Sequence, residues 1–255
     1  MNNDMTVAKE TLPATMAEEL ERELEGLNKT IGGGSSNRIK TGGKKFVYPD
    51  RTDEKVAGPI PLIVLGWTSE NLYYGGKEFD EAHPEPPVCW ALSEAAKGLV
   101  PSENVTDRQA ESCDTCPMNE WESGKGKSKA CKNTRKLAVV RADSTDPEDP
   151  IFFLSVSPTG LKSWDGYVRK LQAKNALPVM VITEVSFDDD KAFPTLQFRA
   201  TEPNVNAELH WARRAEAKAA LMVEPDPSDF QKRDTAGRAP TAAKEGGRSA
   251  GSRKV

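Results

Sequence analysis

The apolar positions of this chain fall mostly into short continuous runs, which are separated by polar stretches rich in glycine, proline and aspartate. Runs of this kind are typical of buried β-strands. They predict strands at 60–67, 88–92, 136–142, 151–156, 178–187 and 195–201, with a further short strand in the NLYYGG stretch that starts at Asn71.

Helical spacing of apolar residues occurs in two places within this strand-rich region. Leu161, Trp164, Val168 and Leu171 form one apolar face and predict a helix between the third and fourth long strands. An alanine-rich stretch at 206–223 predicts a closing helix. We therefore expect a mainly-β (α+β) fold, an OB-like Greek-key barrel with one helix between strands and a C-terminal helix. Other α+β arrangements fit the same order of elements.

The composition divides the chain into three parts. Residues 1–43 form an N-terminal arm, in which 12–28 has the pattern of a short amphipathic helix and a glycine- and serine-rich linker follows. This helix is either a weakly docked arm or a segment for partner binding or self-association into a homo-oligomer. Residues 44–223 form the core, with an inserted loop at 88–136, and 224–255 is a basic tail that we expect to be disordered.

Charge and hydropathy narrow the class of protein. The net charge is −4, so the chain as a whole is not basic, and its basic clusters stand out locally. No apolar run approaches the roughly 20 residues that a membrane span requires, and we expect no membrane partner. The first residues lack the pattern of a secretion signal, which predicts a cytoplasmic protein with reduced thiols.

The four cysteines have the spacing C-x23-C-x2-C-x14-C. Four thiolates can complete the tetrahedral shell of a structural Zn²⁺, and such a site would fix a polar loop that cannot fold by burial. The predicted ligands are Cys89, Cys113, Cys116 and Cys131. An iron–sulfur cluster, a redox CxxC pair, or Cys89 as a plain core residue remain alternatives. His83 could substitute as a ligand, whereas His210 has the setting of a packed or surface residue.

Lysines concentrate in the loop that the cysteines enclose, and aromatic residues lie near them. Such a combination can neutralise phosphates and stack on bases, as single-stranded nucleic acid requires. The alternative is a solvated loop whose lysines only keep it soluble. The predicted nucleic-acid contacts are Lys125, Lys127, Lys129, Lys132, Arg135, Lys136, Trp121, Tyr73 and Tyr74. The GKGKSK segment lacks the frame of a nucleotide-binding P-loop.

CWAL, then C-x2-CPMNEW, then GKGK-K-ACKNTRKLAVV resembles a family of tailed-bacteriophage single-stranded DNA-binding proteins. The resemblance covers roughly residues 38–202 and is most specific at 113–140. It implies an accessory protein of DNA replication or recombination in the cytoplasm of an infected bacterium, with phage or host replication proteins as partners. Many proteins of this functional class end in an acidic tail, whereas this chain has a basic one, so the resemblance gives no support for recruitment through the tail.

Three functions are therefore open at this point. The first is non-catalytic, sequence-independent binding of single-stranded DNA by a zinc-stabilised basic loop. The second is a virus-encoded interaction or regulatory zinc protein that acts on a host machine. The third is a metal-dependent nuclease, for which Asp188, Asp189 and Asp190 are the candidate acidic cluster.

Overall fold

The computed structural model describes residues 37–76 and 85–225 and contains a six-stranded antiparallel sheet with helices packed on both faces. The strands are β1 (Ile60–Tyr73), β2 (Cys89–Ser93), β3 (Lys132–Arg141), β4 (Phe152–Val156), β5 (Val181–Phe187) and β6 (Leu196–Pro203). The helices are α1 (Leu161–Gln172), α2 (Ala207–Ala212) and α3 (Arg214–Leu221). The predicted mainly-β class is confirmed, and α1 lies between the strands where it was predicted.

The sheet is organised around the long strand β1. One edge of β1 pairs with β3 from Leu62 to Leu72, and the other edge pairs first with β5 and then, from Ser69 to Tyr73, with β2. The main strand order is β4-β3-β1-β5-β6, with β2 beside the last part of β1. In the described residues the pairing ends at β4 and β6, so the sheet is not closed into a barrel.

β1 replaces two strands that the sequence pattern predicted separately. Its second half is polar, yet Thr68, Ser69, Glu70 and Asn71 are all buried. Thr68, Glu70 and Asn71 have hydrogen-bond partners in neighbouring strands: for example, the Thr134 hydroxyl donates to the Glu70 carboxylate at 3.1 Å. Apolar periodicity cannot detect a strand whose buried side chains are satisfied by hydrogen bonds.

Two apolar clusters hold the sheet and the helices together. α1 packs on one face, where Trp164 and Leu171 are buried and Leu161 and Val168 contact the same cluster, as the helical spacing predicted. Tyr167 also faces this cluster. α3 packs on the opposite face through Ala217 and Leu221, which contact Ile63 and Leu65 of β1 among others.

The predicted closing helix at 206–223 is not continuous. It is divided into α2 and α3 at Arg213, where the backbone ψ of −4° departs from the helical value of about −42°. His210 at the end of α2 is fully buried and lies 2.9 Å from the Asn204 side-chain nitrogen. It is therefore a packed residue, in agreement with one of the two predicted settings.

Several predictions concern residues outside the described ranges: the helix at 12–28, the linker upstream of Asn37, His83 and the basic tail beyond Pro225. The rest of the predicted linker, 37–43, is part of the folded body, since Lys40 pairs with Val47. The packed body extends upstream of the boundary predicted at residue 44, since Ile39 is buried and its backbone N–H donates to Phe153 O at 2.9 Å. None of the described helices has both the length and the apolar character needed to cross a membrane.

Candidate functional site

The four cysteines meet at one end of β1. Cys89 is the first residue of β2 and pairs with Tyr73 at the end of β1. Cys131 directly precedes β3, whose first residue, Lys132, pairs with Leu72. Since β2 and β3 flank β1 on its two sides, the sheet register brings Cys89 and Cys131 to the same level of the sheet.

Backbone hydrogen bonds bring the CxxC segment to this level. The N–H of Cys113 donates to Leu99 O at 2.9 Å, and the N–H of Cys131 donates to Met118 O at 2.8 Å. The segment after Cys116 forms a 3-10 turn, Pro117–Asn119, in which the Asn119 N–H donates to Cys116 O at 2.9 Å. The chain is therefore tied across its own loop at the residues that carry the thiols.

The thiols are reduced, buried and electrostatically coupled. Burial, followed by the nearby Cys113, Cys116 and Cys89, raises the pKa of Cys131 to about 12, while Lys129 opposes the rise. Burial also raises the pKa of Cys113, while a hydrogen bond with the Asn71 side chain opposes the rise. Cys89 is thus buried, as a core residue would be, and is also a neighbour of the other thiols.

To bind a metal ion, the four thiols must have ligand geometry as well as lie near one another. Within residues 37–76 and 85–225, no group of three or more His, Cys, Asp or Glu side chains is arranged to hold a metal ion. The four thiols therefore share one electrostatic neighbourhood without standing at ligand positions. In donor chemistry they fit a thiophilic ion: four soft sulfurs, all buried, held by short loop hydrogen bonds.

The loop between Cys116 and Cys131 has a defined local structure. Gly124 N–H donates to Ser128 O at 2.9 Å, and Ala130 N–H donates to Ser123 Oγ at 3.0 Å. A side chain at Gly124 would place its Cβ 2.8 Å from the Lys129 carbonyl carbon, so this close approach requires glycine. Hydrogen bonds of serine hydroxyls and close backbone packing at glycine therefore stabilise this loop, whereas apolar burial stabilises the rest of the body.

Trp121 is the most exposed aromatic residue of this loop, with 75% of its surface accessible. The Lys129 ammonium lies 5.5 Å from the centre of its ring and donates to Asn119 Oδ1 at 3.2 Å. Lys125, Lys127 and Lys132 are exposed around them. The structure therefore brings a flat aromatic face and several cations together on the loop, which we call the Trp121 loop (residues 117–130).

Other predicted contacts lie away from the Trp121 loop. Lys136 is 5% exposed, and its ammonium lies 4.9 Å from the centre of the Phe153 ring. Burial lowers the pKa of Lys136, and the neighbouring Glu70 opposes that change. Lys136 is inaccessible because it is an inward-facing residue of β3, although in sequence it continues the run of cations.

Arg135, Tyr73 and Tyr74 are half-buried. Burial lowers the pKa of Arg135, while Asp165 of α1 opposes this, so the guanidinium faces the helix. Burial raises the pKa of Tyr74. Tyr73 shares its level of the sheet with Cys89 and so lies beside the thiols. These residues are peripheral to the Trp121 loop.

The predicted acidic cluster has a structural environment of its own. Lys44 donates from its ammonium to Asp188 O at 3.0 Å, and the Asp190 N–H donates to Asp188 Oδ1 at 3.0 Å. The three aspartates cap the turn between β5 and β6. They do not form a metal-binding group.

Two residues that the sequence reasoning did not select take part in the site. The Asn119 side chain donates to Cys113 O at 2.7 Å while accepting from Lys129, and Asn71 links Cys113 to β3 by accepting from Asn133 at 2.6 Å. Their roles depend on long-range contacts, and no local pattern of asparagine indicates them.

Comparisons with protein families, curated proteins and solved structures find no match to this chain.

Proposed function

We propose that this protein binds single-stranded DNA without sequence preference and without catalysis. One observation carries the proposal: Trp121 is 75% exposed beside Lys129, in a loop that also presents Lys125 and Lys127 and is followed by the exposed Lys132 at the start of β3. An accessible indole ring surrounded by cations supplies base stacking and phosphate neutralisation together. The resemblance to bacteriophage proteins favours a role in phage DNA replication or recombination.

The proposed cofactor is a structural Zn²⁺ held by Cys89, Cys113, Cys116 and Cys131. Support comes from the burial of all four thiols and from the pKa of Cys131, which the other three thiols raise, because a bound divalent cation would relieve that repulsion. When bound, the ion would crosslink β2, β3 and the CxxC turn, and it would offer no open position for substrate. The protein side chains then do the binding: Trp121 stacks, and the lysines contact phosphates.

The OB-like arrangement remains part of the proposal, and the order of the strands is compatible with it. β1, β3 and β4 are antiparallel neighbours in the sheet, with β2 between β1 and β3 in sequence. α1 follows β4, and the β5–β6 hairpin returns to the other edge of β1. OB folds bind oligonucleotides with the loop between their first two strands. The Trp121 loop lies between β2 and β3, and it has the corresponding position if β2 is counted as part of the connection from β1 to β3.

A protein-docking function is the second candidate, since an exposed tryptophan also serves as an interface anchor. Fluorescence titration of the full chain with single- and double-stranded oligonucleotides, at several salt concentrations, separates the two candidates. We expect quenching of tryptophan emission by the single strand and an affinity that falls steeply with salt. Absence of any affinity at low salt would reject DNA binding and leave protein docking. Elemental analysis of the same preparation measures zinc, iron or neither.

A further inference from the structure

The backbone of Lys129 is packed against the first half of the Trp121 loop. Its carbonyl oxygen accepts from the Lys132 ammonium at 3.1 Å. The N–H of the following residue, Ala130, donates to Ser123 Oγ at 3.0 Å. A Cβ at Gly124 would lie 2.8 Å from the Lys129 carbonyl carbon, so the two halves of the loop are in close contact. The starting point of the Lys129 side chain is therefore fixed.

The other end of that side chain, the ammonium, is held between two groups. It donates to Asn119 Oδ1 at 3.2 Å, and it lies 5.5 Å from the centre of the Trp121 ring. A cation within about 6 Å of an indole face is attracted by the ring. The Lys129 ammonium is therefore anchored on Asn119 and placed over one face of Trp121.

The orientation of Asn119 is set in turn by the CxxC segment. Its Nδ2 donates to Cys113 O at 2.7 Å, which leaves Oδ1 to accept from Lys129. Its backbone N–H donates to Cys116 O at 2.9 Å. Exchange of Oδ1 and Nδ2 would set a donor against the ammonium and an acceptor against the carbonyl oxygen. A series of contacts therefore leads from the two cysteines through Asn119 and Lys129 to the Trp121 ring.

The surroundings of Trp121 favour a base over a phosphate. Glu120 and Glu122 flank it in the chain, and both are exposed. The ammonium of Lys129 lies over the ring and already donates a hydrogen bond. Lys127, in contrast, is exposed. A phosphate is therefore better accommodated at Lys127 than beside the indole ring.

We propose that Asn119 is a positioning residue of the DNA contact, and that Lys129 belongs to the stacking platform and does not contact phosphate. Asn119 holds the Lys129 ammonium over one face of Trp121, and a base stacks on the opposite face. The inference rests on the proposed function and deepens it, because it separates the residues that bind bases from those that bind phosphates. Loss of Asn119 then weakens stacking and leaves the number of released counterions unchanged.

The salt dependence of oligonucleotide affinity distinguishes stacking from phosphate contact. Variants of the full chain are titrated with oligothymidylate at four or more salt concentrations. We expect Asn119→Ala and Lys129→Ala each to lower the affinity about two- to fivefold, with an unchanged slope of log K against log salt. Lys127→Ala is the control and should flatten the slope by about 0.7. A slope that Lys129→Ala flattens equally would make Lys129 a phosphate contact and overturn the proposal.

The environment of the Trp121 ring is measured without DNA. In fluorine NMR of the chain labelled with fluorotryptophan, the Trp121 resonance is the one that Trp121→Phe removes. We expect Lys129→Ala and Asn119→Ala to move this resonance to the same new position, because both take the ammonium away from the ring. The other tryptophan resonances should stay in place, since the body remains folded. A Trp121 resonance that Asn119→Ala leaves unmoved would overturn the positioning role.

The double variant Asn119→Ala with Lys129→Ala determines whether Asn119 acts through Lys129. We expect it to bind oligothymidylate as Lys129→Ala does, because two residues that act through one contact are not additive. Additive losses would show that Asn119 supports the loop by another route, which contradicts the proposal. Lys129→Ala keeps the bond between Asn119 and Cys113, so it tests the slope even where Asn119→Ala disturbs the CxxC turn.

Failure of this inference and failure of the proposed function give different results. The inference fails if the unmodified chain binds oligothymidylate and Lys127→Ala flattens the slope, while Asn119→Ala and Lys129→Ala bind as tightly as the unmodified chain. The proposed function fails if the unmodified chain has no affinity at any salt concentration. The Trp121 resonance then still decides whether Asn119 positions Lys129.

Discussion

The triple substitution Lys125→Ala, Lys127→Ala and Lys129→Ala removes the cations of the Trp121 loop. Each phosphate contact on a single strand contributes about −0.7 to the slope of log K against log salt. Three lost contacts would flatten the slope by about 2. Relative to a molar salt reference, the affinity at 0.1 M would then fall about 100-fold, or about 3 kcal/mol.

The environments of the three lysines narrow the expected loss of oligonucleotide affinity. Lys129 is half-buried and bonded to Asn119, so part of its charge is already engaged by the loop. Lys125 and Lys127 are exposed. If Lys129 contributes little, the slope changes by about 1.4 and the affinity falls about 25-fold. We therefore expect a loss between these two values.

The assay is fluorescence titration of a single-stranded oligonucleotide at four or more salt concentrations, with zinc content measured on the same samples. A charge-matched control replaces three exposed lysines of the α1 region, Lys162→Ala, Lys170→Ala and Lys174→Ala. We expect the control to retain the slope of the unmodified chain. Equal slopes for both triple variants would refute the assignment of phosphate contacts to the Trp121 loop.

Three further results are expected. Trp121→Ala should cost about 1–3 kcal/mol of oligonucleotide affinity, whereas Trp211→Ala, which removes another exposed indole with a cation over its ring, should cost none in the same titration. Cys131→Ser should lower the zinc content and speed tryptic cleavage at the loop lysines; unchanged zinc and cleavage would contradict the metal assignment. Burial, followed by Arg213, lowers the pKa of His210 in the folded state, so stability should fall as pH drops below about 6.5. In urea unfolding at pH 7.5 and 5.5, His210→Gln should flatten that change, and an identical shift of the midpoint would argue against it.

The sequence pattern predicted those parts of the fold in which burial and periodicity coincide. The apolar face of α1 follows directly from the spacing of Trp164 and Leu171. The polar half of β1 was missed because Glu70 and Asn71 are buried with hydrogen-bonding partners 62 to 64 residues away in sequence. Local composition contains no information about such partners.

For the candidate site too, the sequence predicted some features and missed others. Clustering of the cysteines was expected from their types and spacing, and the sheet register explains how Cys89 joins a loop more than 20 residues downstream. The run of cations from Lys125 to Lys136 looked uniform in sequence. In the structure, Lys132 at the start of β3 is exposed, whereas Lys136 is covered and its ammonium lies over the Phe153 ring, although both positions are on the same face of the strand.

In the proposed function, a metal held by the four cysteines positions the Trp121 loop for single-stranded DNA. The most direct measurement is the affinity of the full chain for one single-stranded oligonucleotide before zinc extraction, after it, and after zinc is restored. We expect extraction to remove most of the affinity and added zinc to restore it. Equal affinity in all three samples would contradict that expectation.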